Sequence, residues 1–398
     1  MIRHTAFAAL FAGALTAQTP RADADTGFKS WVASFRGVAV GAGVSAGTFD
    51  RAFSGFNGPD LVVLEKARYQ PEFTSPPWDY FDNRVNDQSI ANGRAMARKH
   101  KGTLDAIEAR FGVDRHILLA IWSMESNYGE ILVRPDVMRN TVQALATLAW
   151  GDKKRAKYAR TQLIAALKIL QTGDIDVGHL TGSWAGAMGH TQFIPTSYQA
   201  YAVDMDGNGK RDIWNSVPDA LATAANLLRK NGWQSGRTWG YEVRLSGGKF
   251  PGGAQTISAW SKAGLRRANG REFPRGGDKA VLKVPDGRGG PAFLVTNNFN
   301  VLKRYNNADK YALAVGLLAD AIAGGSMTAD WKRPFTRLSF EERQELQERL
   351  ATAGFYDGKF DGKIGDGSKK AIMAFQGSVG LTKDGYPSME VLKVLRKR

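Results

Sequence analysis

Residues 115–127 constrain this chain more than any other stretch, because apolar side chains recur there at helical spacing and one carboxylate interrupts them. Asp114 is placed to cap the start of such a helix, and Gly129 to stop it. Leu118, Ile121, Trp122 and Glu125 fall on one face, since residues three, four and seven apart coincide at helical period. A glutamate on an otherwise apolar face is either paired or desolvated, and desolvation raises its pKa by disfavouring the charged form. The last helical turn carries partial negative charge, which pushes the same way. Two readings stand at this point. Glu125 is a carboxylic acid held protonated near neutral pH, as a general acid must be, or it is a partly buried side chain bonded to a backbone amide.

At 398 residues the chain can bury a full core and hold more than one domain. Its first residues read as a secretory signal peptide, residues 1–24. Arg3 and His4 precede an apolar run, and Ala22-Asp23-Ala24 offers a small-x-small cleavage site, with Arg21 an imperfect feature beside it. No later apolar run approaches the ~20 residues needed to span a bilayer, so an exported protein without a membrane anchor is expected. The sequence has no cysteine, which excludes disulfides, thiol catalysis, cysteine-ligated metals and a lipid-modified cysteine. A formal charge of +16 favours an anionic partner. Export, and the lack of any helix-turn-helix, zinc-finger or RNA-binding signature, argue against nucleic acid. A polyanionic wall polymer fits both observations.

Most of the remaining chain reads as helix. Short amphipathic helices are expected at 28–35 and 46–53, the second capped by Ser45, and residues 71–79, with three prolines, read as a loop. Helical periodicity runs through 89–111 and 140–170, returns at 219–231 with Gly232 as the stop, and again at 311–322. Between 238 and 294, alternating stretches such as Tyr241-Glu242-Val243-Arg244-Leu245 sit among glycine-rich turns and predict a small β insertion. A linker is expected at 325–336. Beyond it, residues 337–398 form a small module of three helices, opened by a capping box at Ser339 and Glu342 and punctuated by Asp357-Gly358, Asp361-Gly362 and Asp384-Gly385. A module this small suits a binding appendage.

A second informative stretch is Gly182-Ser183-Trp184-Ala185-Gly186-Ala187-Met188-Gly189-His190-Thr191-Gln192-Phe193-Ile194-Pro195. Its glycines allow a ligand close to the backbone, Gln192 offers donor and acceptor, and the aromatics offer flat apolar faces, a combination that suits pyranose rings. Helix packing alone would also explain the glycines. A third is Asp204-Met205-Asp206-Gly207-Asn208-Gly209-Lys210-Arg211-Asp212, the first half of an EF-hand loop. Asp204, Asp206 and Asn208 supply side-chain oxygens and Lys210 a backbone carbonyl. Position twelve is Asn215 instead of a bidentate glutamate. Two readings remain open here as well, a weak structural calcium site and a metal-free turn.

The Glu125 stretch, the 182–195 stretch and Phe299-Asn300-Val301-Leu302-Lys303-Arg304-Tyr305-Asn306 together resemble the lytic murein transglycosylase B family, in the family's order and over roughly residues 28–322. The C-terminal module resembles a peptidoglycan-binding domain of the three-helix type, carried by Leu346, Gly354, Asp361-Gly362, Ala371, Phe375-Gln376 and Asp384-Gly385. The resemblance implies a mainly α protein. Residues 25–324 would be a lysozyme-like catalytic core with a small β insertion, followed by the three-helix module. It further implies cleavage of the bond between N-acetylmuramic acid and N-acetylglucosamine in peptidoglycan glycan strands, with Glu125 as sole acid and base and a 1,6-anhydro sugar as product. That would account for the lack of an obvious second catalytic carboxylate, where ordinary glycosidases use two. Ser183, Gln192, Tyr305, Tyr311 and, more weakly, Asn306 and Tyr198 match cleft positions. Lys154 and Arg155 match basic positions of the family, and Trp150, Trp184 and Trp233 are candidates for stacking on sugars or for the core. Family members carry a later aspartate in the EF-hand-like loop. Asp219 is its counterpart here, at a spacing one residue longer. No cofactor is implied for the chemistry; a periplasmic monomer is expected. The rival readings are a lysozyme-type hydrolase and a non-catalytic wall-binding protein.

Two motifs are decoys. Gly43-Val44-Ser45-Ala46-Gly47 matches a nucleophile elbow but lacks the preceding sheet, so Ser45 is read as a helix cap. The five histidines show no metal-ligand spacing.

Overall fold

The computed structural model describes residues 21–68, 76–245, 250–287 and 289–398. They form two compact units, one of residues 21–68 and 139–186, the other of 76–138 and 187–398. Among them, no helix is long and apolar enough to cross a membrane.

The first unit is built on helices Arg21–Gly41, Ala46–Phe53, Leu61–Arg68, Thr141–Gly151 and Ala156–Thr172. The short helix expected at 28–35 is part of one 21-residue helix, which no proline interrupts. Phe28, Trp31 and Phe35 stack along its face with ring centroids 6.4 and 4.9 Å apart, because positions i, i+3 and i+7 coincide. Most of the expected leader, residues 1–20, lies outside the described residues. Ser45 caps the second helix, its hydroxyl accepting the Thr48 amide at 3.1 Å. The expected helical run over 140–170 is broken in two. Asp152 ends the first helix and accepts the Lys154 and Arg155 amides on its carboxylate, a local alternative to continuing the helix.

The second unit centres on the helix Arg115–Ser126, packed against Asp87–Lys99, Lys101–Phe111, Val217–Lys230 and Asp309–Ile322. The run over 89–111 likewise divides, at His100, which ends one helix and starts the next. The prolines at 76 and 77 open a helix, Pro77–Arg84, where a loop through residue 79 was expected. Pro77 takes the first helical position, where a missing N–H costs nothing and the fixed φ is already helical. Residues 69–75 of that expected loop lie outside the described residues.

The β insertion is a five-stranded antiparallel sheet in the order Ala254–Thr256, Lys279–Lys283, Ala292–Val295, Gly240–Arg244, Arg266–Arg267. It has its own core, with Tyr241, Val243, Ile257, Trp260, Leu265 and Leu294 buried together. The C-terminal helices Phe340–Thr352, Asp366–Ser378 and Met389–Arg396 close over Leu346, Leu350, Ile372, Phe375, Leu392 and Leu395. Two Asp-Gly turns of this module are read by buried glutamines. Gln347 accepts the Gly362 amide at 2.8 Å and Gln376 the Gly385 amide at 3.0 Å. Gly362 and Gly385 have φ of 67° and 71°, so the turns need glycine. Residues 325–336 are irregular, as a linker would be, yet anchored within this unit. Trp331 stacks flat on Phe81 at 4.0 Å, and Arg333 is buried between Asp82 and Asp330.

Candidate active site

The helix that carries Glu125 starts where the sequence predicts. Asp114 accepts the His116 amide at 2.7 Å, and helical geometry runs over Arg115–Ser126. Its end is abrupt. Asn127, Tyr128 and Gly129 have φ of 48°, 60° and 90°, three successive left-handed residues of which only the last is glycine. Gly129 is required for a second reason. A Cβ there would stand 2.4 Å from the His190 ring. Leu118, Ile121 and Trp122 are buried as the periodicity requires, and Glu125 is half-buried on the same face.

Glu125 is held by tyrosines from the other end of the chain. The Tyr311 hydroxyl donates to Glu125 Oε1 at 2.6 Å across 186 positions. Tyr305 lies nearly parallel to Tyr311 with ring centroids 6.3 Å apart, and its hydroxyl donates to the Thr191 carbonyl. Desolvation pushes the Glu125 carboxyl up to about 7, against the opposing pull of the Tyr311 hydrogen bond and the Arg84 charge. Burial and the neighbouring Glu125 charge hold both phenols well above their usual range, so they act as neutral donors. Arg84 donates to the Met124 carbonyl at 3.4 Å and lies over the Tyr80 ring. Sequence reasoning missed Arg84, because its helix was read in part as a proline loop.

The glycine-rich stretch divides between the two units. In the second, Met188 and Phe193 pair as an isolated antiparallel bridge, which closes the tight turn Gly189-His190-Thr191-Gln192. Gly189 at φ 66° leaves no room for a side chain, since a Cβ would meet the Ile213 carbonyl oxygen at 2.4 Å. Gln192 is itself left-handed, at φ 50°, and its side-chain amide donates to the Gly189 carbonyl at 2.8 Å. The turn therefore presents a strained, fixed glutamine beside the residue that accepts from Tyr305. Ser183 belongs to the first unit, where its hydroxyl accepts from the Ala185 amide at 3.4 Å. Asn306 is exposed at the C-terminal cap of helix Asn297–Tyr305. Tyr198 is fully buried and donates to the Arg211 carbonyl, a structural role. In the first unit Arg155 pairs with Asp152 at 2.8 Å and lies over Trp184, while Trp150 meets Phe28 edge-on.

The transglycosylase SLT domain family matches residues 27–320 of this chain, and a peptidoglycan-binding domain family matches residues 340–395. The chain belongs to the transglycosylase SLT family. Membrane-bound lytic murein transglycosylase B of Escherichia coli (strain K12) is 30% identical over 272 residues, 67% of this chain and 69% of that protein. The crystal structure of SltB3 from Pseudomonas aeruginosa in complex with NAG-NAM-pentapeptide is 44% identical, covers 93% of this chain and 99% of its own, and superposes with a TM-score of 0.73. The Escherichia coli lytic transglycosylase Slt35 in complex with calcium is 25% identical over 75% of this chain and 92% of its own, with a TM-score of 0.61. The mainly α, lysozyme-like architecture with a sheet insertion is therefore that of the SLT family, and the C-terminal helices are those of the peptidoglycan-binding domain family.

In this SLT chain the EF-hand-like loop brings three carboxylates together. Ligand oxygens of Asp204, Asp206 and Asp219 lie within 4.8 Å of one another. Asp204 accepts the Gly207 and Gly209 amides, and Asn208 accepts the Lys210 amide, so the loop is already wound around its acidic side chains. Asp219 is fully buried. It receives the Met205, Asp206 and Asp212 amides, while burial and the Asp206 charge push its carboxyl up. Between the loop and Asp219 the chain makes a tight turn at Asp212, which accepts the Trp214 and Asn215 amides. Three converging oxygens with like charge, one of them buried, fit a hard cation such as calcium.

Proposed function

We propose that this chain is a lytic transglycosylase that cleaves the bond between N-acetylmuramic acid and N-acetylglucosamine in peptidoglycan, with Glu125 as the single general acid and base. The observation that carries the reading is the environment of Glu125, a carboxyl raised to about 7 whose hydrogen-bond partner is a neutral phenol. Such a group is protonated often enough to donate, and basic enough afterwards to accept.

Protonated Glu125 gives its proton to the glycosidic oxygen as the bond to the anomeric carbon breaks. The substrate's N-acetyl group supports the developing positive charge. Carboxylate Glu125 then takes the proton of the same sugar's 6-hydroxyl, whose oxygen bonds to the anomeric carbon. The ring closes as a 1,6-anhydro sugar; no water is consumed and Glu125 is ready for the next cycle. Tyr311 steadies the carboxylate that forms between the two proton transfers, as its 2.6 Å hydrogen bond favours the charged form. Among the described residues a second carboxyl, that of Asp320, is raised to about 7, and it sits nine residues from Tyr311 on the same helix. Nine residues rise about 13 Å along an α-helix, and at its place there Asp320 accepts the Trp239 indole N–H at 3.1 Å, whereas Glu125 accepts from Tyr311.

Gln192, Ser183 and Asn306 are assigned to glycan binding, and residues 337–398 to retention on the wall. Residues 1–24 export the protein to the periplasm, where it acts as a monomer. Asp204, Asp206, Asn208, the Lys210 carbonyl and Asp219 would hold a structural calcium, which supplies charge neutralisation for the loop and takes no part in bond cleavage. Mass spectrometry of soluble products from purified peptidoglycan tests the chemistry. Fragments ending in 1,6-anhydromuramic acid support it, and reducing ends one water heavier would make the protein a hydrolase.

A further inference from the structure

His190 shares the tight turn with Gln192, but its contacts are with the helix that bears Glu125. The Trp122 indole N–H donates to His190 Nδ1 at 3.1 Å, and the two rings meet edge to face. The His190 carbonyl accepts the Ser126 hydroxyl at 2.6 Å, and that hydroxyl in turn accepts the Gly129 amide at 2.9 Å. The His190 amide donates to the Ile213 carbonyl. Gly129 lies against the ring so closely that no side chain fits between them. Burial lowers the imidazole to about 4, so at neutral pH the ring is uncharged and Nδ1 keeps its lone pair for the indole.

These contacts close a circuit. From Glu125 it runs through Tyr311 and the stacked Tyr305 to the Thr191 carbonyl, one residue along to His190, and back through Trp122 and Ser126 to the helix turn that carries Glu125. Tyr311 and Tyr305 secure the carboxyl side of the loop. His190 is the corresponding fastening on the other side, reached by the Trp122 and Ser126 side chains of the helix's last turns.

We propose that His190 is a positioning residue, which clasps the Gln192 turn to the end of the Glu125 helix through its Nδ1 hydrogen bond with Trp122. The effect on catalysis rests on the reading of Glu125 as the acid. The clasp itself does not. Displacing a catalytic group by about 1 Å costs about a hundredfold in rate, so a loosened clasp is read in turnover more than in binding.

The test compares His190→Phe, which keeps a buried ring but removes the acceptor, with His190→Asn, which returns an acceptor oxygen near the Nδ1 position. On soluble peptide-bearing glycan strands, His190→Phe is expected to lower kcat by about ten- to a hundredfold with KM within about twofold. His190→Asn is expected to recover most of that loss. Wild-type turnover in His190→Phe, a rise in KM alone, or equal impairment of both variants would each overturn the proposal. A measurement on the unaltered protein covers the case in which a variant does not fold. The 15N spectrum at pH 7 must show His190 neutral with its proton on Nε2, and a proton on Nδ1 overturns the clasp directly. Should Glu125→Gln still cleave glycan, the reading of Glu125 falls while the His190 tautomer stands. Should Glu125→Gln be inactive and His190→Phe fully active, only the clasp falls.

Discussion

Glu125 and Asp219 are both carboxylates withdrawn from water, and both have raised pKa values, yet their surroundings suit them to opposite tasks. Glu125 accepts the Tyr311 phenol, with the Arg84 charge close by. Asp219 instead gathers three backbone amides and two neighbouring aspartates. The first environment leaves a proton free to leave and return. The second holds a carboxylate in place and adds like charge that a cation would relieve. Desolvation alone therefore does not mark a catalytic acid; what matters is how few fixed donors oppose it.

The largest expected effect breaks the comparison at Glu125. Glu125→Gln keeps an oxygen for Tyr311 but has no proton to give, so cleavage should fall by about a thousandfold or more, while sedimentation with peptidoglycan persists. Next is Asp219→Ala, which strips the acceptor from the Met205, Asp206 and Asp212 amides. These amides are only part-buried and water can replace some of the lost bonds, so thermal unfolding should show a loss of about 1–3 kcal/mol. Calcium should raise the melting temperature of the unaltered protein and chelation lower it, a response that Asp219→Ala should lack.

A third effect has the opposite sign. Because the folded-state pKa of Glu125 lies above the ordinary value of 4.5, the native state binds more protons than the unfolded chain between the two values. Stability contributed by that proton is complete below 4.5 and lost as pH rises through about 7. Glu125→Gln should thus be more stable than the parent at pH 8, on the order of 2–3 kcal/mol, with the difference vanishing at pH 4. Denaturant titrations at the two pH values measure it. The smallest effect is Tyr311→Phe. Its lost hydrogen bond had favoured the carboxylate, so the alkaline limb of the pH–rate profile should move upward by about one unit or less.

Much of this site was legible in the sequence, and the rest was not for identifiable reasons. Glu125 and its helix follow from period and caps, which are local. Tyr305 and Tyr311 came only through resemblance, since nothing in a linear pattern brings Tyr311 across 186 positions to Glu125. Arg84 was hidden by Pro76 and Pro77, whose signal is the same for a loop and for the first turn of a helix. The breaks at His100 and Asp152 were invisible because side-chain periodicity continues across a corner one or a few residues long. Asp219 lies beyond the twelve-residue loop pattern, and what brings it to the other aspartates is its capture of the Met205, Asp206 and Asp212 amides. The β insertion, whose alternation and glycine turns are again local signals, stands where the sequence puts it.

The most direct test is a pH titration of the Glu125 side-chain carboxyl in the intact protein, followed by carbon NMR and assigned by its loss in Glu125→Gln. A midpoint near 7 is predicted. A midpoint in the ordinary carboxylate range would mean that Glu125 is ionised at neutral pH, and it could not then be the acid that opens the glycosidic bond.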